Sequence, residues 1–432
     1  MRDVSLWGAL LGVEKTVIER IEFDEDADVV VAHVRATSRQ RSRCGVCGRR
    51  CAGYDRGAGR RTWRALDLGT VRSVLEADAP RVTCREHGVV VAAVPWARHD
   101  AGHTYAFDET VAWLATQSSK STVTQLMRIA WRTVGSIITR VWADVDAQHD
   151  RLAGLRRIGI DEISYQRGFK FLMVVVEHDT RRLVWAAPGR TSATVREFFN
   201  LLGEERCAQI THVSADGADF IDTIVAQTCP NAVRVADPFH VVKWATDALD
   251  EVRRGAWNDA RALARKEPRR GRGRPRSDAL PRPGSERAKA LKGARYSLWK
   301  NPANLTDNQQ VKLAWIAATD PELYRAYLLK EGLRVIFALP YTAAVEALNR
   351  WISWARRCRI PAFVKLQKSI VKHKPRILAA IDHGLSNGLI ESTNTKIRLI
   401  TRLAFGFRSP EALIALALLS LGGHRPVLPG RQ

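Results

Sequence analysis

Residues 156–245 change hydrophobic period in an order that few folds can accommodate. LRRIGIDEISY, FKFLMVVVEHD and RRLVWAAPGR are three apolar, β-branched runs joined by short turns, the pattern of an antiparallel meander. TSATVREFFNLLGEE then takes helical spacing, and QITHVSAD returns to a strand. DFIDTIVAQTC is helical, AVRVAD is a strand, and PFHVVKWATDALDEVRR is a long helix. A meander followed by alternating helix and strand predicts a mixed sheet that continues into parallel α/β units.

The order β-β-β-α-β-α-β-α is that of an RNase H-like domain, and two acids sit where its strand runs end. Asp161 follows Ile158, Gly159 and Ile160, and Asp216 follows Val213, Ser214 and Ala215. Ligands of open α/β sheets collect just outside strand ends. In this strand order the two runs are neighbours, so their carboxylates can share a metal. A third acid, Glu391, lies in the helical run SNGLIESTNTKIR. Ile390, Ile397, Ile400 and Ala404 fall on one face of that helix, and Glu391, Asn394, Arg398 and Arg402 fall on the other, a face that would bring one carboxylate and two cations toward the sheet. Three carboxylates can hold two divalent ions, which activate the attacking oxygen and stabilise the leaving oxygen in phosphodiester chemistry. Oxygen-only donors favour Mg²⁺, with Mn²⁺ as a substitute. A lone Asp at a strand end is also a common turn or cap residue. Glu162, Asp219, Asp222 and Asp237 compete for the same roles.

Charge indicates the substrate. The 432 residues carry 68 Lys plus Arg against 45 Asp plus Glu, a net charge of +23 spread along the chain. Such a chain attracts polyanions in a salt-dependent way. No signal peptide, lipidation motif or apolar run of about 18 residues argues for a membrane, so the expectation is a cytoplasmic protein whose polyanion is nucleic acid. A hydrophobic content of 46% suits a chain with a sizeable core, and the length suggests several domains.

Four of the seven Cys lie in the first hundred residues. Cys44 and Cys47 form one pair spaced by two residues, and Cys84 and His87 form a second. Paired ligands on tight turns are the signature of a structural Zn²⁺ site. Cys51 stands as an alternative to His87 for the fourth ligand. Residues 105–146 read as three helices, with Ser121 as a candidate N-cap for the second and Thr133 as a candidate start of the third. Val134, Ile137, Ile138 and Val141 give the third a buried stripe and leave Arg132, Ser136 and Arg140 outward, as in a helix-turn-helix that enters a major groove. An ordinary three-helix bundle shares the pattern.

RKEPRRGRGRPRSDALPRPGSERAK reads as an extended basic loop, and the segments after it are almost all helical. Arg272 and Arg274 match the core of an AT-hook or belong to a solvated linker. Trp299, Trp315, Trp351 and Trp354 lie among the helices. Trp299 is the candidate for stacking on a base, against packing as the alternative for all four. His240 is either a buried, hydrogen-bonded residue or one that approaches the metal site or a phosphate.

These motifs resemble the DDE insertion-sequence transposases of the ISL-three family over nearly the whole chain. The resemblance rests on CGVC with CREH, RTVGSIITRV, the IGIDE block, VSADGADF, DPFHVVKWATDALDEVRR and, most specifically, NGLIESTNTKIRLITRLAFGFRS. It implies a catalytic triad at Asp161, Asp216 and Glu391, zinc ligands at Cys44, Cys47, Cys84 and His87, and roles for Asn394 and Lys396 after the Glu. It also implies binding of terminal inverted repeats, strand cleavage and strand transfer, with a homodimer joining two ends. The expected domains are a zinc-binding module at 1–100, a helix-turn-helix at 101–150, an RNase H-like domain at 151–245 and 384–432, and a basic loop with a helical insertion at 246–383. DNA-contact candidates are Arg132, Arg140, Arg272, Arg274, Trp299, Lys396, Arg398 and Arg402. A domesticated DNA-binding regulator, or a nuclease or junction resolvase on the same fold, is the alternative.

Overall fold

The computed structural model describes residues 3–215, 219–267, 282–407 and 409–431. Asp216, Arg272 and Arg274 lie outside the described residues. The chain divides into two compact units, residues 1–151 with 396–432, and residues 152–395.

In the first unit, β1 (Thr16–Asp24), β2 (Val29–Ala36), β3 (Ala52–Asp55), β4 (Arg60–Arg64), β5 (Arg72–Asp78), β6 (Arg81–Cys84) and β7 (Gly88–Val91) make two small sheets. The order β1-β2-β5-β4 forms one and β3-β6-β7 the other. Alternate residues of β5, Ser73, Leu75 and Ala77, point inward, as period-two burial requires. They meet Ala32, Val34, Trp63 and Trp96, and the two tryptophans pack edge to face at 5.5 Å.

Three helices follow, Tyr105–Gln117, Lys120–Met127 and Trp131–Gln148. The second is capped by Ser119, whose hydroxyl accepts from the Thr122 N–H at 3.1 Å, and not by Ser121. The third starts at Trp131, two residues before the expected Thr133. Its stripe of Val134, Ile137, Ile138 and Val141 is buried as the spacing requires, and Arg132 and Ser136 are exposed. Arg140 departs from the expected outward face. Its Nε donates to Asp108 at 2.9 Å, and Asp108 is fully buried. Arg98 lies at 3.5 Å from the same carboxylate, and its own Nε reaches Asp144 at 2.5 Å. Arg140 is thus committed to holding the helices together. The apolar helix Pro410–Leu421 packs on Trp131–Gln148 and Tyr105–Gln117.

The second unit contains β8 (Arg157–Gln166), β9 (Lys170–Glu177), β10 (Leu183–Pro188), β11 (His212–Ala215) and β12 (Val233–Ala236), in the order β10-β9-β8-β11-β12. β8, β9 and β10 form the expected antiparallel meander. β11 runs parallel to both β8 and β12, with Ile160, Ala215 and Ala236 abreast. Ile158, Ile160, Met173, Val175, Phe198 and Phe199 fill the core beneath the sheet.

The long helix Pro238–Lys266 leads away from β12, with proline in the first turn, where no backbone donor is lost. It packs with Pro283–Lys292, Pro321–Ile336 and Pro361–His383 around a helical core containing Leu249, Leu291, Leu329, Leu348 and Phe363. Trp351 is buried there and donates from Nε1 to the Leu329 carbonyl at 2.7 Å. Trp299, the candidate for base stacking, is half buried against this core. The Arg295 guanidinium covers its ring at 3.8 Å, so that face is not open to a base. Among the described residues, no helix is long and apolar enough to cross a membrane.

Asp108 compensates two arginines in a buried position. Asp108→Asn is expected to lower stability by about 3–5 kcal/mol in denaturant unfolding, whereas Arg132→Ala on the exposed face changes it by less than about 0.5 kcal/mol. Equal small effects would contradict this account of Arg140.

Candidate functional site

Two constellations emerge from this framework. The first lies between the small strands of the N-terminal unit. Cys44 and Cys47 bracket a tight turn, closed by the Gly48 N–H donating to the Cys44 carbonyl at 2.9 Å with Gly48 at φ +70°. Cys84 ends β6 and His87 sits in the turn before β7, where Gly88 takes φ +66°. The four donor atoms all lie within 4.8 Å of one another. Cys47 Sγ is 3.8 Å from Cys84 Sγ, and His87 Nδ1 is 3.8 Å from Cys44 Sγ and 3.5 Å from Cys84 Sγ. These separations suit the corners of a tetrahedron about one ion with bonds of about 2.0–2.3 Å, and the donor set fits Zn²⁺. Hydrogen bonding to His87, aided by the N–H groups of Glu86 and His87, pulls the Cys84 thiol down to about 6. That favours the thiolate a metal requires. Of the two alternatives for the fourth donor, His87 joins the group, while Cys51 Sγ donates to the Arg49 carbonyl at 3.4 Å.

The second constellation lies at the sheet end of the second unit. Asp161 is half buried in the middle of β8, which continues to Gln166 instead of ending at Asp161 as the sequence suggests. Its Oδ1 accepts from the Glu162 N–H at 2.8 Å, and its Oδ2 accepts from Asn394 Nδ2 at 2.8 Å. Asn394 belongs to the helix Gly388–Leu403 and is buried, on the face with Glu391 that is expected to turn toward the sheet. The same helix sets Ile390 against Gly159 so closely that a Cβ on the glycine would lie 2.4 Å from Ile390 Cδ1. Glu391, one turn before Asn394, is exposed beside the residues that make these two contacts. The helix therefore brings Glu391 to the strand that carries Asp161. Asp216 directly follows Ala215 in sequence and lies outside the described residues.

Asp237, one residue beyond β12, was only a competitor in the sequence. It is 3% exposed, with Oδ1 accepting from the Asn387 N–H at 3.1 Å and Oδ2 paired with His240 Nδ1 at 2.7 Å. Burial pushes its carboxyl up, but the hydrogen bonds from His240 and Asn387 more than offset this and hold it below the usual range. His240 is half buried and hydrogen-bonded to Asp237. Gly159 and Asn387 went unmarked in the sequence reading. For Gly159 a signal existed, because a glycine inside a strand pattern often marks close approach of another element.

Lys396, Arg398 and Arg402 are exposed on the later turns of the Glu391 helix, and Arg132 is exposed on Trp131–Gln148. Arg140 and Trp299 are engaged within the protein, as described.

Residues 40–87 match a family model described as the zinc-finger of transposase IS204/IS1001/IS1096/IS1165. Residues 92–142 match one described as the helix-turn-helix domain of transposase family ISL3, and residues 158–417 match one described as a transposase. The chain is 65% identical to the transposase for insertion sequence element IS1557 of Mycobacterium tuberculosis, over 100% of this chain and 98% of that protein. It is 26% identical to the transposase for insertion sequence element IS1001 of Bordetella parapertussis, over 95% of this chain and 96% of the relative.

Metal analysis of the full chain is expected to find one zinc bound at the Cys/His cluster, lost in Cys84→Ser with a fall in the melting temperature of the chain. A folded, zinc-free wild-type chain would contradict the site. Gly159→Ala is expected to destabilise the chain by about 1–3 kcal/mol through overpacking, and Ile390→Val in the same chain to recover part of the loss. Simple additivity of the two changes would show that the glycine is not there for Ile390.

Proposed function

For a chain that belongs to the ISL3 family of insertion-sequence transposases, we propose cleavage at the ends of its element and transfer of the freed 3′-hydroxyls to target DNA. The observation that carries this reading is the Asn394–Asp161 hydrogen bond, which joins the helix of Glu391 to the strand of Asp161. Asp161, Asp216 and Glu391 are the proposed acids, and their all-oxygen donor set suits Mg²⁺ or Mn²⁺. When bound, a pair of such ions lowers the pKa of the attacking oxygen and stabilises the leaving one.

The protein's own part is to hold the carboxylates still. Asp161 has one oxygen tied to a backbone N–H and the other to the Asn394 amide, which fixes its rotamer before any substrate arrives. Glu391 stays exposed, where a phosphate can approach. Lys396, Arg398 and Arg402 are proposed to bind backbone phosphates, and Arg132 to contact the terminal inverted repeats. Zn²⁺ at Cys44, Cys47, Cys84 and His87 would hold the N-terminal module in shape.

The strand order β10-β9-β8-β11-β12, with its antiparallel meander and parallel continuation, supports an RNase H-like catalytic domain. The helices between Pro283 and His383 support a helical insertion that divides it. The domain limits of the sequence reading, 1–100, 101–150, 151–245, 246–383 and 384–432, are proposed on that basis. Synapsis of two element ends calls for a homodimer on DNA, and the DNA substrate calls for a cytoplasmic location.

The test is strand cleavage by the full chain on DNA carrying the element's own inverted repeats with Mg²⁺. Asp161→Asn, Asp216→Asn and Glu391→Gln are each expected to abolish cleavage and leave repeat binding intact in a gel-shift assay. Cleavage retained by any one of them would remove that residue from the site.

A further inference from the structure

We propose that Asp237 is a positioning residue for Glu391, a latch that fixes the first turn of the Glu391 helix to the end of β12. The proposal rests on the reading of Glu391 as a catalytic acid. A single backbone unit carries the connection. Asp237 Oδ1 accepts from the Asn387 N–H at 3.1 Å, and the Asn387 carbonyl accepts from the Glu391 N–H at 2.9 Å. The carboxylate is therefore one residue removed from the backbone of the acid it would place, although 150 positions separate it from Asn387 in sequence.

Several features fit a latch better than a further metal ligand. Asp237 is 3% exposed, more deeply buried than the half-buried Asp161, and its oxygens are held by Asn387 and His240. Asp237 is also the residue before Pro238–Lys266, where an Asp normally caps its own helix. Here the Phe239 N–H of that helix still favours the charged carboxylate, and Oδ1 also serves the start of a different helix. A negative charge at that start is also favoured by the unpaired N–H groups of the first turn. The register places the latch correctly, because Ala236 lies abreast of Ala215 and Ile160, the residues just before Asp216 and Asp161. The helix is then fixed at Asn387 by Asp237, at Ile390 by Gly159 and at Asn394 by Asp161, with Glu391 between the anchors. The side chain of Asn387 is buried, and among the described residues neither its nitrogen nor its oxygen has a hydrogen-bond partner, while its backbone N–H is bonded to Asp237.

Two readouts test the latch. In the metal-free full chain, Asp237→Ala is expected to speed amide hydrogen exchange in residues 385–395 and to leave β8 protected. In single-turnover cleavage at saturating inverted-repeat DNA, it is expected to slow the reaction by about 10²-fold, the loss typical of a misplacement near 1 Å, without weakening DNA binding. Asp237→Asn keeps an oxygen for the Asn387 N–H and is expected to recover the rate to within about tenfold of wild type. If Asp237→Ala does not fold, Asp237→Ser, whose hydroxyl is too short to reach Asn387, carries the same expectations. Wild-type exchange and rate in these variants would overturn the latch. Asp237→Asn as inactive as Asp161→Asn, with exchange unchanged, would make Asp237 a ligand and also overturn it. Asp161→Asn and Glu391→Gln run alongside. If they cleave, the assignment of the acids fails, and if they do not while Asp237→Ala cleaves at the wild-type rate, the latch alone fails.

Discussion

The seating of one helix against one strand is the constraint on which the proposed chemistry depends. Asp161 and Glu391 are far apart in sequence, and no local rule brings them together. Gly159 removes the side chain that would keep the helix away, Ile390 fills the space, and Asn394 spans the remaining gap to the Asp161 carboxylate at 2.8 Å. An amide bonded to a carboxylate inside a partly buried site is stronger than the same bond in water, and it is costly to leave half made. This explains why a polar residue occupies a buried position on the helix. The contact orients an acid, and any apolar residue at 394 would leave that acid free to turn.

Much of this architecture is legible in the chain. The long apolar runs of β8 to β10, the shorter strands β11 and β12, and the helix of Glu391 follow directly from period-two and helical spacing. Asp161 stands out because an acid directly follows the apolar run of Ile158, Gly159 and Ile160, although the strand itself runs on to Gln166. The zinc-type cluster stands out because two turns each present a ligand pair with the same spacing. What escapes is of one kind. The face that Asn394 shares with Glu391 is expected to turn toward the sheet, but nothing local marks the Asp161 carboxylate as its partner. Arg140 is expected outward because periodicity sorts residues by polarity, while its partner Asp108 lies 32 positions earlier, on another helix. The link from Asp237 to Asn387 runs through a backbone N–H, which has no sequence signature. Contacts that depend on a partner far along the chain are invisible to a local pattern.

The positive charges also sort into groups once the structure is in view. Arg98, Arg140, Arg234 and Arg376 are engaged with acids, the last two on the shared carboxylate of Asp222. Arg295 lies over Trp299. These side chains stabilise packing, and their charge is largely spent within the fold. Arg132, Lys396, Arg398 and Arg402 remain exposed and are better placed to meet a polyanion. The net charge of +23 therefore overstates the number of residues free for DNA. The salt dependence of binding should report this smaller, exposed set.

The account stands on Asp161 and Glu391 serving one site, and the most direct measurement is divalent-ion binding. Electron paramagnetic resonance titration of the zinc-loaded full chain with Mn²⁺ counts bound ions without relying on turnover. The account predicts that Asp161→Asn and Glu391→Gln each weaken the same Mn²⁺ binding step by about tenfold or more. A wild-type Mn²⁺ isotherm for Glu391→Gln, with binding lost only in Asp161→Asn, would contradict it.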